Sequence, residues 1–481
     1  MSLFDRLRRG LAAGWLVPRL RASLLFDPDW YLDSHADLRH RDGRGPDPAW
    51  HYLLHGAREG RDPGPLFSTS GAWLQGGPRG ETPAQNPLLA FERKGRATGQ
   101  QALPVFEGTD PRVRAGAPVV LVFAHQALGQ QFGAERSLLF LLDRAVRAGL
   151  AVDVVLPQCL DPAYLAALRA RARHVHLLPC PWRRAGRRPH PSTLAAMEAL
   201  IRNSGAGEVH QNTLALDAPL IAARRAGVPS VLHLRELPDQ DAELCSRLGQ
   251  DADSLRADLL TEADRFVANS AAVARWIDPA GALPPDRLAI LPNAADATLA
   301  ALPFVPAQPL RVGMVSSNLA KKGIADVAAA ARHFADLQGE AEFLLIGPAT
   351  ADLAALGPLP DNLRHAGYAP DPVTAMAGLD VVLCLSHFAE SFGRTVLEAM
   401  TAGRPVICYD RGTPPALVGT AGIVVPPDNP KAVARAVLVL SRDRARLRAL
   451  SDAARGRARD VAQQAAGLPD SILFAALCPA K

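Results

Sequence analysis

The sequence predicts an α/β protein in which a small helical module precedes two doubly wound parallel sheets. Three observations lead to this prediction. From residue 119 onward, short aliphatic runs alternate with stretches of helical periodicity; a Pro-rich segment at 301–309 interrupts the series, which starts again at residue 310. Strands that are apolar along their whole length are typical of parallel sheets with helices on both faces. Each half has the length of one Rossmann-like domain.

Size and composition exclude several classes of protein. A chain of 481 residues is too long for one ordinary core, and 48% hydrophobic with 21% charged residues indicates a soluble globular protein. The net charge of +5 is too small for the basic stripe of a nucleic-acid binder, so we expect no nucleic-acid partner. The six cysteines lack CxxC spacing, which favours reduced thiols over a disulfide frame or a zinc site. We find neither a run of about 20 apolar residues nor a signal-peptide core, and we expect a cytoplasmic protein.

The pattern also sets domain bounds. We predict a basic amphipathic segment at 1–23, a helical tandem-repeat module at 24–104, a linker at 105–118, a Rossmann-like domain at 119–300, a hinge linker at 301–309, a second Rossmann-like domain at 310–460, and a C-terminal helix at 461–481 that packs back on the first domain. Open parallel sheets bind ligands at the carboxyl ends of their strands, so we expect the two domains to face each other across a cleft.

The N-terminal module contains a degenerate repeat with a period of about 40 residues. The stretch YLLHGAREG at 52–60 aligns with FERKGRATG at 91–99, so that Gly56 matches Gly95 and Gly60 matches Gly99. The aromatic side chains of the module either form its core, which is the favoured interpretation, or provide a sugar-binding platform. They are Trp30, Tyr31, Trp50, Tyr52 and Trp73.

The segment ESFGRTVLE at 390–398 carries the strongest chemical signal. It follows the apolar strand LDVVLCLS and opens a helix, where free N–H groups and a partial positive charge suit a phosphate. Gly393 lets the backbone approach closely, and the carboxylates of Glu390 and Glu398 can accept from the hydroxyls of a sugar and a ribose. The alternative is an ordinary i, i+4 pair between Arg394 and Glu398 on an exposed helix face.

This segment, with the AMTAGRPVI that follows it, resembles the retaining glycosyltransferases of family 4, which have the two-domain fold called GT-B. The resemblance covers residues 118–460. It implies that Glu390 contacts the donor sugar, that Glu398 contacts the ribose, and that the amides around 393–396 bind the distal phosphate. It also makes 119–300 the acceptor domain and 310–460 the donor-binding domain.

Other positions extend the resemblance. Lys322, directly before Gly323, matches the family's lysine, which reaches the diphosphate. Met314 stands where the family has an arginine, so the resemblance implies either a weaker cationic clamp on the diphosphate or a second charge from Lys321 or Arg394. The turn at 411–415 lacks the family's glutamate, which leaves donor specificity open. The donor-binding set that the resemblance implies is Gly133, Gly313, Ser316, Asn318, Lys322, Glu390, Ser391, Phe392, Gly393, Arg394, Thr395, Val396 and Glu398.

The first domain supplies the remaining candidates. Gly133 lies in a loop similar to the family's GGAE loop, with Phe132 in place of the first glycine. His233 matches the family's active-site histidine, which implies contact with the transferred sugar. His210 ends another strand and is expected on the acceptor side, although a structural role is the favoured alternative for it. Arg235 and Glu236 are expected to line the acceptor side. The catalytic set is His233, Lys322 and Glu390.

The expected function is a retaining, hexosyl- or related glycosyltransferase that moves a sugar from a nucleoside-diphosphate sugar to a glycan or lipid-linked acceptor in surface polysaccharide assembly. Three DxD strings begin at residues 27, 239 and 251, outside strand ends, so we expect neither a metal nor another cofactor. Two alternatives remain: a nucleotide-sugar epimerase or hydrolase of the same fold, and a non-catalytic glycan-binding scaffold. The basic segments 1–23 and 182–188 suggest peripheral membrane contact, against the alternative of solvated tail and loop. The N-terminal repeat resembles short units that precede transferase domains in bacterial surface-polysaccharide enzymes.

Overall fold

The computed structural model describes residues 14–38, 45–110, 116–129, 133–336 and 340–478. Contacts between residues divide the chain into two units. Unit 1 comprises residues 1–234, 245–266 and 470–481, and unit 2 comprises 235–244 and 267–469. Within the described residues, no helix is both long enough and apolar enough to cross a bilayer.

The N-terminal region is helical, and two of its segments have the same succession of elements. In each, the side chain of Asp47 or Asn86 caps an α-helix of four residues that has proline at its first position, and a π-helix of five residues follows. The two π-helices are Tyr52–Gly56 and Phe91–Gly95. The α-helices of the region are α1 (residues 14–21), α2 (Pro28–Ser34), α3 (Pro48–His51), α4 (Thr69–Leu74) and α5 (Pro87–Ala90).

Aromatic side chains form the core of this region. Tyr31 and Tyr52 are fully buried, and the Tyr31 hydroxyl lies 2.8 Å from His51 Nδ1. Tyr31 and Tyr52 are therefore core residues, as the favoured interpretation predicts. Trp50 and Trp73 are partly exposed. The π-helix residue Gly56 packs directly on Tyr31: a Cβ at this position would lie 2.0 Å from the tyrosine hydroxyl oxygen.

The first sheet has eight strands in the order β1-β4-β3-β2-β5-β6-β7-β8. Strand β1 is antiparallel to β4, and the pairs β2–β3, β3–β4, β2–β5 and β5–β6 are parallel. The strands are β1 (Val105–Glu107), β2 (Val119–Phe123), β3 (Ala151–Leu156), β4 (His174–Leu177), β5 (Ala206–Gln211), β6 (Ser230–Leu234), β7 (Arg265–Ala268) and β8 (Leu288–Ile290). The accompanying helices are α6 (Gly133–Arg147), α7 (Pro162–Arg169), α8 (Pro191–Ser204), α9 (Ala218–Ala226), α10 (Ala242–Leu248), α11 (Ala252–Glu262) and α12 (Ala271–Ile277).

Strand β1 lies inside the segment that the sequence pattern predicts to be a linker. Three residues between Pro104 and Gly108 are too few to show a period, so the pattern does not distinguish them from a loop. Gly108 then brings the backbone against the end of α7, because a Cβ there would lie 1.8 Å from the carbonyl oxygen of Ala172.

The second sheet has six parallel strands in the order β11-β10-β9-β12-β13-β14. They are β9 (Leu310–Val315), β10 (Ala341–Ile346), β11 (Leu363–Gly367), β12 (Val381–Cys384), β13 (Val406–Tyr409) and β14 (Ile423–Val425). The helices are α13 (Ile324–Asp336), α14 (Ala351–Ala354), α15 (Pro372–Ala377), α16 (Arg394–Thr401), α17 (Pro414–Val418), α18 (Pro430–Arg442), α19 (Arg444–Gly467) and α20 (Asp470–Leu473), of which α20 belongs to unit 1.

Helices cover both faces of the second sheet. Phe343 and Leu345 of β10 pack in one apolar cluster with α13 and α18, whereas Leu344 and Ile346 pack in a second cluster with α16 and α19. Because alternate residues of the strand meet different cores, its four residues 343–346 are all apolar, as expected for a doubly wound parallel sheet. The fold is therefore a helical N-terminal region followed by two Rossmann-like domains.

The contact between Gly56 and Tyr31 generates a prediction about stability. Gly56→Ala places a methyl group against a buried ring, and we expect it to destabilise the protein by about 1–3 kcal/mol, which lowers the Tm by several degrees. Gly456→Ala in α19 is the control: apart from its own helix backbone and its two chain neighbours, no heavy atom of the described residues lies within 4 Å of the added Cβ, so removing this mid-helix glycine should stabilise by about 0.5–1 kcal/mol. Equal Tm values for Gly56→Ala and the wild type in thermal unfolding would contradict the packing described.

Candidate functional site

An ion pair between Lys322 and Glu390 lies in unit 2. Lys322 is the last residue of a 3₁₀-helix that follows β9, and its Nζ donates to Glu390 Oε1 at 2.8 Å. Ser386, just after β12, donates its hydroxyl to the same oxygen at 2.6 Å. The Lys322 ammonium also lies 4.7 Å from the ring centroid of Phe388, a cation–π distance. The two loops that follow neighbouring strands β9 and β12 thus meet at one pair of charges.

This environment lowers the pKa of Glu390 below its ordinary value of 4.5. Burial by itself would raise the pKa, but attraction to the Lys322 ammonium and the hydrogen bonds from Lys322 and Ser386 together outweigh it. The side chains of Lys322 and Glu390 retain 25% and 16% exposure, so both can reach a ligand from the solvent side.

Two glycines set the backbone around this pair. Gly323 has φ +81°, and a Cβ there would lie 2.0 Å from the carbonyl oxygen of Leu385. Gly412 has φ +70°, and a Cβ there would lie 2.5 Å from the backbone nitrogen of Glu390. Thr413 N–H then donates to the Glu390 carbonyl at 3.0 Å. The turn in which the family's glutamate is missing therefore positions the Glu390 backbone.

Helix α16 begins beside Glu390. Gly393, with φ +88°, precedes its first residue, and it brings no side chain to cap the free N–H groups of the first turn. Phe392 and Val396 have buried side chains in the core, so only their backbone amides can meet a ligand. The N-terminus of α16 thus offers a partial positive charge three residues after the Glu390 carboxylate.

The structure corrects the alternative interpretation of Arg394 and Glu398. The two side chains lie 3.9 Å apart as an i, i+4 pair, but Glu398 is only 4% exposed, so the pair is not on a solvated helix face. Arg394 also donates to the carbonyl of Ala294 at 2.9 Å. The contact of Glu398 with a ribose stays a prediction.

Three predicted donor contacts in β9 and in the loop that follows it have structural roles. Gly313 lies inside β9, where a Cβ would meet Leu379 Cδ2 at 2.5 Å, so its lack of a side chain serves packing. Asn318 is fully buried at φ +52°, and its amide donates to the carbonyl of Pro348. Ser316 donates to the Asn318 side chain and also accepts from its backbone. Donor contact from Gly313 and Asn318 stays a prediction, one that this burial disfavours.

Ser391 is tied into a hydrogen-bond network of unit 2. Its hydroxyl donates to the Arg235 carbonyl at 2.6 Å, and its own carbonyl accepts from Ser270 and Thr413. The Arg235 guanidinium donates to Asn293 at 3.0 Å, and burial together with nearby Arg394 lowers its pKa to about 10. The carboxylate of Glu236 accepts from the Arg235 amide, at 3.1 Å.

In unit 1, His210 and His233 end adjacent strands and contact each other. His210 Nδ1 lies 2.9 Å from His233 Nε2, and His210 Nε2 lies 3.6 Å from the carboxylate of Glu208. At 2.9 Å the two ring nitrogens share a hydrogen bond in which one donates and the other accepts, so the tautomer of one ring sets that of the other. His210 is fully buried and stacks on Phe474, so this structure gives it no acceptor contact. His233 is 1% exposed, and its catalytic role stays a prediction.

Gly133 is the first residue of α6 in unit 1, and Phe132 lies outside the described residues. The donor contact predicted for Gly133 therefore stays a prediction. Thr395 is half-buried in the first turn of α16.

The DxD strings have ordinary structural roles. Asp27, Asp241 and Asp251 each accept backbone N–H groups at the start of α2, α10 and α11 respectively. One cluster in unit 2 has the spacing of metal ligands, Asp326 with His387 and Asp428. It is satisfied internally, because Tyr409 and His387 hold Asp326 while Arg411 neutralises Asp428.

The structure brings Lys322 and Glu390 together and places Gly393 three residues further on, whereas it pairs His210 with His233 in the other unit. Sequence reasoning missed the residues that fix this arrangement, which are Ser386, Phe388, Gly412 and Thr413. In the sequence, only the small residue Ser386 just after β12 and the glycine in the turn 411–415 after β13 indicate such roles.

A glycosyltransferase is the class of protein that this fold and site define, and comparisons with known proteins agree. A model described as Glycosyltransferase Family 4 matches residues 133–299, and one described as Glycosyl transferases group 1 matches 309–443. Together they cover more than half of the chain. The chain belongs to the GT-B glycosyltransferases, with a family 4 domain followed by a group 1 domain.

The individual proteins that the chain resembles share limited sequence identity with it or match only a short part of it. The chain is 37% identical over 79 residues to the O-antigen chain mannosyltransferase B of Escherichia coli, a match that covers 16% of this chain and only 20% of that protein. HepE from Anabaena, solved with UDP-glucose, has a TM-score of 0.57 at 21% identity and matches 72% of this chain and 98% of its own. Sucrose-phosphate synthase from Thermosynechococcus elongatus has a TM-score of 0.55 at 20% identity, over 75% and 100% of the two chains. These two structures support the fold.

The ion pair generates a prediction about pH. In the wild type the stabilisation from Glu390 is fully present above pH 4.5 and is lost as the pH falls through its lowered folded-state pKa. In Lys322→Met burial dominates, so the pKa of Glu390 rises above 4.5 and the variant loses stability as the pH rises through it. We expect the loss of unfolding free energy in Lys322→Met to grow from pH 4.5 towards neutrality, reaching about 1–2 kcal/mol for this partly exposed pair, and the Tm deficit to grow with it.

Lys321→Met is the matched control. Its ammonium pairs with Glu243 at 2.9 Å, and both side chains are more than one-third exposed, so its Tm deficit should be small and independent of pH. Parallel pH profiles for the two variants in thermal unfolding would show that Lys322 does not set the ionisation of Glu390.

Proposed function

We propose that the protein transfers a sugar from a nucleoside-diphosphate sugar to a glycan or lipid-linked glycan acceptor, with retention of anomeric configuration and without a metal ion. The observation that carries this proposal is the Lys322–Glu390 pair at the start of α16. A diphosphate beside it would meet an ammonium group and the free N–H groups of a helix, and a sugar would meet a carboxylate.

The pair also suggests how binding prepares the reaction. Without a donor, the Lys322 ammonium is neutralised by Glu390. A donor diphosphate competes for that ammonium, which releases the carboxylate to accept from sugar hydroxyls. As the bond to the leaving phosphate breaks, negative charge grows on the diphosphate, and the ammonium and helix dipole stabilise it where it forms.

Charge balance supports a reaction without a metal. The DxD strings are used as helix caps, and the cluster around Asp326 is internally paired. Lys322 and the amides of α16 are thus the groups available near Glu390 to balance a diphosphate. For retention we propose front-face attack, in which the leaving phosphate accepts the acceptor's proton. The ¹H NMR signal of the anomeric proton in the product distinguishes retention from inversion.

The proposed place in surface polysaccharide assembly rests on the local similarity to an O-antigen mannosyltransferase, which spans about a fifth of that protein. An epimerase or hydrolase would use the donor without an acceptor, and a scaffold would bind without turnover. Measuring donor consumption with and without acceptor glycans separates these alternatives.

Loss of either charge should reduce transfer strongly. We expect Lys322→Ala and Glu390→Ala each to lower the rate of sugar transfer by about 10²–10³, because each removes a preorganised group at the reacting centre. Lys321→Ala, one residue away and paired with half-exposed Glu243, should retain nearly full activity. Thermal unfolding confirms that the variants fold, and losses below tenfold in both charge variants would refute the assignment.

Membrane contact is a further part of the proposal, and the structure narrows where it can occur. In the basic loop 182–188, Arg183 is buried and paired with Glu262, while Arg187 donates to backbone carbonyls. This loop therefore offers less free charge than its sequence suggests. The predicted basic face of residues 1–13 lies outside the described residues, but Trp15 on α1 is 84% exposed.

We expect the full chain to float with vesicles that contain anionic phosphatidylserine and to do so less with neutral vesicles, since each basic residue near an anionic surface contributes about 1 kcal/mol. Trp15→Ser should reduce recovery, because an indole favours the membrane interface, whereas Trp276→Phe at a buried site should not. Equal recovery with both lipid compositions would exclude attraction of the basic segment to an anionic membrane surface.

A further inference from the structure

A cavity of about 900 Å³ lies in unit 1 between the helical N-terminal region and the first sheet. On one side it is lined by Trp30 and Ser34 of α2. On the other side it is lined by Gln126, Gln158 and Trp182, which follow β2, β3 and β4 at their carboxyl ends. Doubly wound sheets bind their ligands at this edge, and the volume lies in the range of about 300–1,000 Å³ typical of ligand sites.

The two walls of the cavity are fixed to each other. Gln158 donates its side-chain amide to the carbonyl of Gly60 at 2.7 Å, and Arg187 donates to the carbonyl of Asp33 at 2.8 Å. The Cys159 N–H donates to the Ser70 hydroxyl, at 3.2 Å. The N-terminal region thus forms a permanent wall over the strand ends, and the cavity is preformed.

The shape of the cavity fits an extended ligand. A second cavity of about 600 Å³ shares part of this lining, since Trp30, Ser34 and Arg187 line both cavities. The two volumes are therefore neighbouring lobes under the C-terminal end of α2. Two lobes suit a chain of linked units better than one compact molecule.

The charges around the larger cavity favour a neutral ligand. Its lining has four arginines and four acidic side chains, and the central Arg61 is bonded to Asp37 at 2.8 Å and Glu59 at 2.7 Å. Burial raises the pKa of Asp62 well above its ordinary value and lowers the pKa of His35 to about 4, so four arginines face three carboxylates and a neutral imidazole. Nearly balanced, hydrogen-bonding charges beside the rings of Trp30 and Trp182 match the hydroxyls and apolar faces of sugars, and they give only a weak net field for a phosphate.

We propose that this cavity binds part of the acceptor, as a neutral oligosaccharide, so that the helical N-terminal region is an acceptor-binding module. The inference rests on the proposed function, since it assumes that the acceptor is a glycan. It assigns to Trp182 and Ser34 contact with sugar units of the acceptor, independently of the donor residues in unit 2.

The proposal is tested by placing a larger side chain in the cavity. Ser34→Trp introduces an indole into the lining, and Ser254→Trp on an exposed position of α11 is the matched control. Binding of neutral gluco-, manno-, galacto- and N-acetylglucosamine oligosaccharides, from disaccharides to pentasaccharides, is measured on the full chain by saturation-transfer NMR and calorimetry. We expect at least one series to bind with affinity that rises with length, and Ser34→Trp to weaken it at least about tenfold.

A second variant guards against misfolding. Arg184→Ala combined with Arg247→Ala removes two cavity arginines that lie on the partly exposed or exposed surface, and it should weaken glycan binding while Tm stays near the wild-type value. The Tm increase on adding UDP or GDP reports donor binding separately. An unchanged nucleotide response with lost glycan binding supports the cavity, and a missing nucleotide response in the wild type counts against the proposed function alone.

Three results would overturn the inference: no neutral oligosaccharide binds the wild type at millimolar concentration, both cavity variants bind as the wild type does, or anionic oligosaccharides bind better than neutral ones of the same length.

Discussion

The ion pair between Lys322 and Glu390 is the interaction on which the candidate site of unit 2 depends. A buried carboxylate without a cation would take up a proton, and an ammonium at the mouth of a helix without a carboxylate would face the helix dipole's positive end. Each charge lowers the free-energy cost of the other, and the hydroxyl of Ser386 donates a further hydrogen bond to Glu390 Oε1, the oxygen that Lys322 contacts. The pair therefore holds two opposite charges in a partly exposed site, and in the proposed reaction a diphosphate exchanges places with the carboxylate.

Glycine determines where these charges stand. Gly323 and Gly412 both have positive φ, and in each case a Cβ would strike backbone atoms of the loop that carries Glu390. The loops after β9, β12 and β13 consequently approach each other more closely than side chains would permit. The turn after β13 therefore holds Glu390 in place although it lacks the family's glutamate. It does so through backbone atoms, namely the close approach at Gly412 and the Thr413 N–H.

The sequence predicted most of the fold, because strands of a doubly wound sheet are apolar throughout and their period changes sharply at each helix. Lys322 and Glu390 were also predictable, since they flank strand ends that meet at one sheet edge. Gly313 and Asn318 were harder, because adjacency to a strand end does not say whether a residue packs inward or faces a ligand. The edge strand β1 escaped prediction because three residues show no period. His210 looked like a cleft residue because sequence carries no sign that Phe474 covers it.

That covering has a consequence for His233. Phe474 comes from the segment after α19, which crosses back to unit 1, where Asp470 pairs with Arg144 at 2.9 Å. By covering His210, Phe474 keeps water from the imidazole pair, and the attraction between that ring and the Glu208 carboxylate is stronger in the resulting medium of low dielectric. Because His210 Nδ1 and His233 Nε2 lie 2.9 Å apart, one of the two nitrogens donates and the other accepts, so the tautomers of the two rings are coupled. A change that uncovers His210 would therefore also alter the hydrogen bonding of His233.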